Sequence, residues 1–365
     1  MITFEKAVEI ALGYDARDNK FSEYQNSFEF WWDSGVLMEG PQPYVIIKES
    51  GERMPLSHAI NSGYKRGRLI REGDIPETMR PTFFTLGDAV YGAAVGDALG
   101  VPYEFQGRGS FECTGMASGG THGQPAGTFS DDVSMMLATC DSVRVRGRVD
   151  VRDMRRRFAS WLREGAYTPD GNVFDVGNTV ATALSEGRGC EGERSNGNGS
   201  LMRIAPLAYT HADDDEVRAV SAITHAHRIS AESCVCLVKL IRNLIGGNPL
   251  EIALEYSIPE GEEFAFLADV ASWPRDNVKS GGYVLDTLGA AIWCFANTDN
   301  YADCVLAAVN LGRGTDTTAC VAGALAGAVY GYRAIPAGWL EALRGKDVIE
   351  RCLFLGFEKA RSWPE

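Results

Sequence analysis

Beyond Thr82 the apolar segments are built mostly from small side chains. Gly87 to Leu99 reads GDAVYGAAVGDAL, and Asp316 to Tyr330 reads DTTACVAGALAGAVY. The distance between packed helices depends on the side chains at the contact, so faces of Gly and Ala let backbones approach closely. Further segments of this kind run from Asp131 to Val145, Thr179 to Glu186, Ser230 to Ile245 and Tyr283 to Asn297. No strand series is legible after Thr82, so residues 83–365 are expected to form a mostly α-helical domain. Two Gly-rich stretches, Thr114 to Gly127 and Gly187 to Gly199, interrupt it, and connections of that length in a compact domain are usually functional or mobile.

The first eighty residues differ. Phe4, Ala7, Val8 and Ala11 have helical spacing, whereas Phe28-Glu29-Phe30-Trp31-Trp32 and Tyr44-Val45-Ile46-Ile47 read as strands. The expectation is a small α+β module over residues 1–80, joined through a linker from Asp74 to Pro81. Residues 1–60 hold five basic and ten acidic side chains, a balance of −5. That charge and the Trp31-Trp32 pair suit a cationic partner with aromatic anchors. The alternative is a regulatory or dimerising appendage whose aromatics are buried at home.

Over all 365 residues, 35 Lys+Arg against 49 Asp+Glu give a net charge of −14, which disfavours nucleic acid and anionic membranes as partners. The apolar stretch Thr318 to Tyr330 is shorter than the ~20 residues of a membrane-spanning helix. Glu5, Lys6 and Glu9 interrupt the start where a secretory signal needs an apolar run, so a cytoplasmic location is expected. Nine cysteines without a CxxC pair read as reduced core thiols and supply no zinc site.

Three helix termini carry oxygen ligands. Ser130-Asp131-Asp132 opens one helix, Thr315-Asp316-Thr317 opens another, and Gly96-Asp97-Ala98-Leu99-Gly100 ends a third before Glu104. Each cluster alone reads equally as a cap, because Ser and Asp satisfy the free N–H groups of a first turn. Adjacent Asp131 and Asp132, however, repel each other unless a cation or a proton lies between them. Brought together, the clusters would offer hard oxygen donors suited to Mg²⁺ or Mn²⁺. A second constellation, Asn196 to Pro206, places Asn198, Gly199, Ser200 and Met202 in a turn whose backbone N–H groups could face a phosphate, with His225 a further donor. Asp175 lies just before a helix and Tyr283 just after a Gly-Gly turn. Either is a cap or core residue by itself, or a neighbour of a bound base or leaving group.

In combination these segments resemble the ADP-ribosylglycohydrolase family. The matching text is GDAVYGAAVGDALGVPYEF at 87–105, GTFSDDVSMMLA at 127–138, FDVGNTVATAL at 174–184, NGSLMRIAPLA at 198–208, THAHR at 224–228, SGGYVLDTLGAAIW at 280–293 and AVNLGRGTDTTACVAGALAGAVYG at 308–331. The resemblance implies an all-helical enzyme with Mg²⁺ at the base of a cleft, removing ADP-ribose from modified proteins, most plausibly from arginine. By position it implies Ser130, Asp131, Asp132, Asp316 and Thr317 as metal ligands. Glu104 and Asp175 fall on positions beside the scissile bond and the substrate, and Asn198, Gly199, Ser200 and Met202 on the segment that cradles the diphosphate and ribose; Asp131 is a further catalytic candidate, and Asp97, His225 and Tyr283 are further substrate-binding candidates. The N-terminal extension resembles immunity modules that occlude ADP-ribosyltransferase toxins, which implies such a toxin as a second partner.

The chain departs from the family pattern at one ligand. The second cluster of the family reads Asp-x-Asp-Thr, and Gly314 stands where the first aspartate belongs. A lost carboxylate weakens at least one ion, because Mg²⁺ releases its waters reluctantly. The alternative reading is therefore a catalytically weakened scaffold that protects only by binding a toxin. Hydrolysis of a free ADP-ribosyl small molecule is a third.

Overall fold

The computed structural model describes residues 2–4, 6–8, 20–31, 44–74 and 85–354. The chain divides into two compact units, one within residues 1–83 and the other within 84–359. It is mostly α-helical, with a small antiparallel sheet near the N-terminus.

The sheet has the order β4-β3-β2-β1-β5, from β1 (Lys20–Tyr24), β2 (Ser27–Trp31), β3 (Tyr44–Ile47), β4 (Arg53–Pro55) and β5 (Leu69–Asp74), with a short helix α1 (Leu56–Asn61) between β4 and β5. Phe21, Phe28, Phe30 and Ile46 form its apolar core with Ala7 and Val8. Glu23 on β1 is held by Lys48 at 2.7 Å and Arg71 at 2.6 Å. Two strands were expected here; β1, β4 and β5 carry too much charge to show apolar alternation. Ala11, Trp32 and linker residues 75–81 lie outside the described residues.

The larger unit runs through α2 (Leu86–Gly100), α3 (Asp131–Arg146), α4 (Val151–Glu164), α5 (Asn178–Glu186), α6 (Asp214–Ser221), α7 (Arg228–Ile245), α8 (Leu250–Glu255), α9 (Val284–Ala296), α10 (Tyr301–Val309), α11 (Thr315–Tyr330), α12 (Ala337–Ala342) and α13 (Lys346–Cys352). Beyond Asp74 the described residues form only isolated bridges, and no named strand. Helix α4 was not among the helices expected from sequence; it buries Met154, Phe158 and Trp161 at helical spacing. All nine cysteines are free thiols, and no helix among the described residues is long and apolar enough to cross a membrane.

Local chemistry sets the helix ends that matter for the site. Thr85 and Asp88 form a reciprocal capping box at the start of α2. The Ser130 hydroxyl accepts from Asp132 N at 3.3 Å to open α3, and left-handed Gly147 closes it. Helices α2 and α11 are almost wholly buried and lie against each other through glycines. A Cβ on Gly96 would stand 2.1 Å from the Ala319 carbonyl oxygen, and one on Gly100 would stand 2.4 Å from Asp316 Cα. The Thr315 hydroxyl donates to the Gly100 carbonyl at 2.7 Å, fixing the end of α2 against the start of α11.

Gly96→Ala should therefore lower unfolding free energy by about 1–3 kcal/mol, since a buried methyl with no room forces the helices apart. Gly338→Ala in α12, where a Cβ meets nothing within 4 Å, should be neutral or slightly stabilising. Urea denaturation of both variants checks the contrast.

Candidate active site

The α2–α11 contact brings three sequence-distant carboxylates together. One oxygen each from Asp97, Asp132 and Asp316 lie within 4.8 Å of one another, and all three residues are buried. Asp97, expected among the substrate-binding residues, does not line the cleft. It sits behind the cluster and accepts Ser130 N at 3.0 Å and Val133 N at 3.3 Å, bracing the start of α3. Burial nevertheless pushes its carboxyl up to about 7, against the lowering effect of those N–H donors.

The neighbours are more strongly affected. Asp131, Asp132 and Asp316 are all held well above the carboxylate range, first by burial and then by the charges of one another and of Asp175, Asp97 or Glu104. Asp132 Oδ2 and Asp316 Oδ2 have no hydrogen-bond partner although both atoms are buried. Unpaired buried anions are costly and call for a proton or a cation. The donor set is oxygen only and fits a hard divalent cation.

In front of the cluster opens a cleft of about 730 Å³, lined by Asp131, Asp132 and Thr317 at its base, with Gly314 beside them. A hollow of similar size beside Arg148 and His211 lacks such a carboxylate group, so volume alone does not select the site. Ser130 and Asp316 are buried and do not border the cleft.

Glu104, Asp175, Asn198, Gly199, Met202 and His225 line its walls. The Asn198 segment is a tight turn rather than the start of an α-helix: Met202 N donates back to the Asn198 carbonyl at 3.1 Å, and Asn198 N donates to Gly282 O at 3.0 Å. Ser200 is fully buried beneath this turn, where its hydroxyl accepts from Ser221 Oγ at 3.0 Å, and so it supports the wall without facing the cleft. Tyr283 is 40% exposed and faces a separate apolar hollow of about 330 Å³ with Phe266 and Trp273. The structure thus assembles Glu104, Asp131, Asp132, Asp175, Asn198, Gly199, Met202, His225 and Thr317 around one cavity. Asp97, Ser130, Ser200 and Asp316 lie behind its wall and Tyr283 beside it.

Three cleft features were not singled out from sequence. His122 Nε2 hydrogen-bonds Glu104 Oε2 and stands 3.9 Å from Asp175 Oδ1. Thr121 Oγ1 also donates to the Glu104 carbonyl at 2.6 Å, so the 119–124 loop grips Glu104 from two sides. Phe105, 67% exposed, and Arg313 both have left-handed backbones, at φ 65° and 66°, and exchange hydrogen bonds across the cleft rim: Phe105 N to Arg313 O and Arg313 N to Gln106 O, each 2.7 Å. Asp175 is left-handed too, at φ 54°. Non-glycine residues in that region are strained and gather at functional sites. The one advance signal was the Thr114 to Gly127 loop, which holds a lone histidine.

A family model described as ADP-ribosylglycohydrolase matches residues 86–362. The chain belongs to the ADP-ribosylglycohydrolase family. It is 35% identical over 273 residues to the ADP-ribosylarginine hydrolase Tri1 of Serratia proteamaculans, covering 70% of this chain and 74% of that protein. To the ADP-ribosyl-[dinitrogen reductase] glycohydrolase of Rhodospirillum rubrum it is 33% identical over 274 residues, covering 70% and 88%. A solved structure described as an ADP-ribosylglycohydrolase-related protein complex superposes with a TM-score of 0.62 at 32% identity, over 73% of this chain and 95% of that one. As a member of this family the protein is a glycohydrolase, and its acidic cluster lies where the family model matches.

The raised carboxylates set a sign for stability. In chelator the native state holds protons that the unfolded chain has lost above about pH 4, so stability should fall as pH rises from about 5 to 8. A divalent cation that binds the cluster should flatten that fall. Thermal melts across pH with and without the cation check both statements.

Proposed function

We propose that the chain is a Mg²⁺-dependent hydrolase that releases ADP-ribose from ADP-ribosylated arginine in proteins. The observation that carries the reading is the pair of unpartnered buried oxygens, Asp132 Oδ2 at the base of a cleft walled by Glu104 and Asp175, and Asp316 Oδ2 in the cluster just behind it. Support for the arginine linkage comes from relatives: proteins named ADP-ribosylarginine hydrolase are 35% and 31% identical to this chain. Asp131, Asp132, Asp316 and Thr317 would hold the cation, with Ser130 fixing the helix start and Asp97 behind. A bound divalent cation supplies Lewis acidity and orients the hydroxyls of a ribose.

The chain's own groups do the rest. Departure of the arginine nitrogen leaves positive charge at the anomeric carbon, which the Asp131 and Asp175 side chains bordering the cleft would stabilise. Burial, reinforced by the charge of Asp175, pushes Glu104 up to about 9, so at neutral pH it retains a proton. Glu104 Oε2 is hydrogen-bonded to His122 Nε2. Giving its proton to the departing arginine nitrogen leaves Glu104 a carboxylate able to take a proton from an attacking water. The Asn198 to Met202 turn and His225 receive the diphosphate and ribose, and the strained Phe105–Arg313 clasp borders the side from which a modified protein arrives.

Gly314 bears on the competing reading of a weakened scaffold. Its φ is −84°, and a Cβ there would meet nothing closer than the Ser280 carbonyl oxygen at 3.4 Å, so an aspartate fits without backbone change. For residues 1–80 we propose a partner-binding module that recognises a cationic ADP-ribosyltransferase toxin; its acidic balance and its separate apolar core support this.

With an ADP-ribosylated arginine protein and Mg²⁺, the chain should release ADP-ribose, and chelator or Asp316→Asn should reduce release by at least about 100-fold. Gly314→Asp should tighten Mg²⁺ binding in calorimetry. No release at any cation concentration, from the chain or from Gly314→Asp, would leave the scaffold reading. Removal of residues 1–80 should abolish toxin binding in a pull-down while hydrolysis persists; intact toxin binding would refute the module's assignment.

A further inference from the structure

Arg203 is the one arginine among the described residues that is completely buried, at 0% exposure. Its hydrogen bonds go to neutral groups: the Gly199 carbonyl, the Val220 carbonyl at 3.4 Å and Thr224 Oγ1 at 2.8 Å. Its guanidinium lies 4.7 Å from the Phe158 ring centre, and its Nε has no partner. Burying a cation this way is costly, so the contacts it enforces bear examination.

A guanidinium only donates hydrogen bonds, so Thr224 Oγ1 is an acceptor toward Arg203 and its own proton must go elsewhere. Thr224 is fully buried, and the acceptor that its hydroxyl reaches is His225 Nδ1, at 2.8 Å. Burial, with the charge of Arg203 second, lowers His225 to about 3, so the ring is neutral and carries one proton. With Nδ1 accepting, that proton sits on Nε2. His225 borders the cleft, and a Cβ on Gly197 or Gly199 would come within 3.5 Å and 3.4 Å of Nε2, which places this nitrogen against the turn.

We propose that Arg203 and Thr224 are positioning residues that lock His225 in its Nε2–H tautomer, so that a neutral donor meets an oxygen of the bound ADP-ribosyl group beside Gly199. The ligand side of this inference rests on the hydrolase reading above; the tautomer does not. One guanidinium then sets both halves of the subsite, because it holds the Gly199 carbonyl of the turn as well as the hydroxyl that orients the imidazole.

Long-range ¹H–¹⁵N spectra of the full-length, ligand-free protein read the tautomer directly, with His225→Asn assigning the resonances. His225 should show a protonated Nε2 and an unprotonated Nδ1; the reverse overturns the proposal. Thr224→Val removes the hydroxyl and should let the Nδ1–H form appear, with ADP-ribose, as the probe, binding about tenfold more weakly. Thr224→Ser should restore both readouts, which simple loss of packing would not. If Thr224→Val shifts the tautomer but ADP-ribose binds as before, His225 is not a ligand donor and the proposal fails. If ADP-ribose does not bind the unmodified protein while the tautomer is as stated, the hydrolase reading fails and the lock stands.

Discussion

Two helices with almost no side chain between them govern the chemistry of this protein. Gly92, Gly96 and Gly100 recur every fourth residue on α2, where side chains at such spacing share a helix face. Each lies where a Cβ would collide with the backbone of α11. Dispersion over so close a contact is collectively large, and it holds the end of α2 against the start of α11. The start of α3 is tied to the same place by Asp97, which accepts its first backbone N–H groups. Carboxylates more than two hundred residues apart in the chain, Asp97 and Asp316, are thereby forced into one buried cluster. The packing energy of the core offsets the repulsion, and the repulsion is what makes the cluster hungry for a cation.

The same division between rigid support and strained rim runs through the cleft. Behind its wall, Asp97, Ser200 and Arg203 are buried and satisfied largely by neighbouring backbone and hydroxyl groups, so the surfaces they carry cannot move far. At its edge, Phe105, Asp175 and Arg313 adopt left-handed backbones that Cβ atoms disfavour. Their strain is borne by mutual backbone hydrogen bonds and by the His122 loop, rather than by a core.

The helical class was legible in sequence because the Gly/Ala faces are long and free of β-branched alternation, and the helix start at Asp131 followed from its Ser130 cap, whereas the one at Thr315 has Gly314 at its N-cap and no side-chain cap. The carboxylate cluster was legible only as pieces: nothing in the spacing of Asp97, Asp132 and Asp316 states that they meet, and the resemblance to a family supplied the assembly. His122 escaped because a single histidine in a Gly-rich loop has no periodicity and its partner, Glu104, is eighteen residues away in chain order. Asp97 differs from its reading in where its oxygens point. A carboxylate in a matching motif reads as a ligand-facing group, whereas its oxygens are spent on the backbone of α3. Strands β1, β4 and β5 were hidden by their charges, some of which are paired, as Glu23 is with Lys48 and Arg71.

Gly314 makes sense within the same balance of repulsion and packing. An aspartate there would add one more anion beside three buried carboxylates that are already pushed above their ordinary range. Each additional like charge raises the cost of the cation-free fold and, in the same measure, the gain on binding a cation. Glycine lowers both. A chain with Gly314 therefore carries less repulsion in its cation-free fold and would gain less on binding a cation. Because a Cβ is tolerated at this position, the backbone does not demand the glycine; the electrostatics of the cluster are what the residue changes.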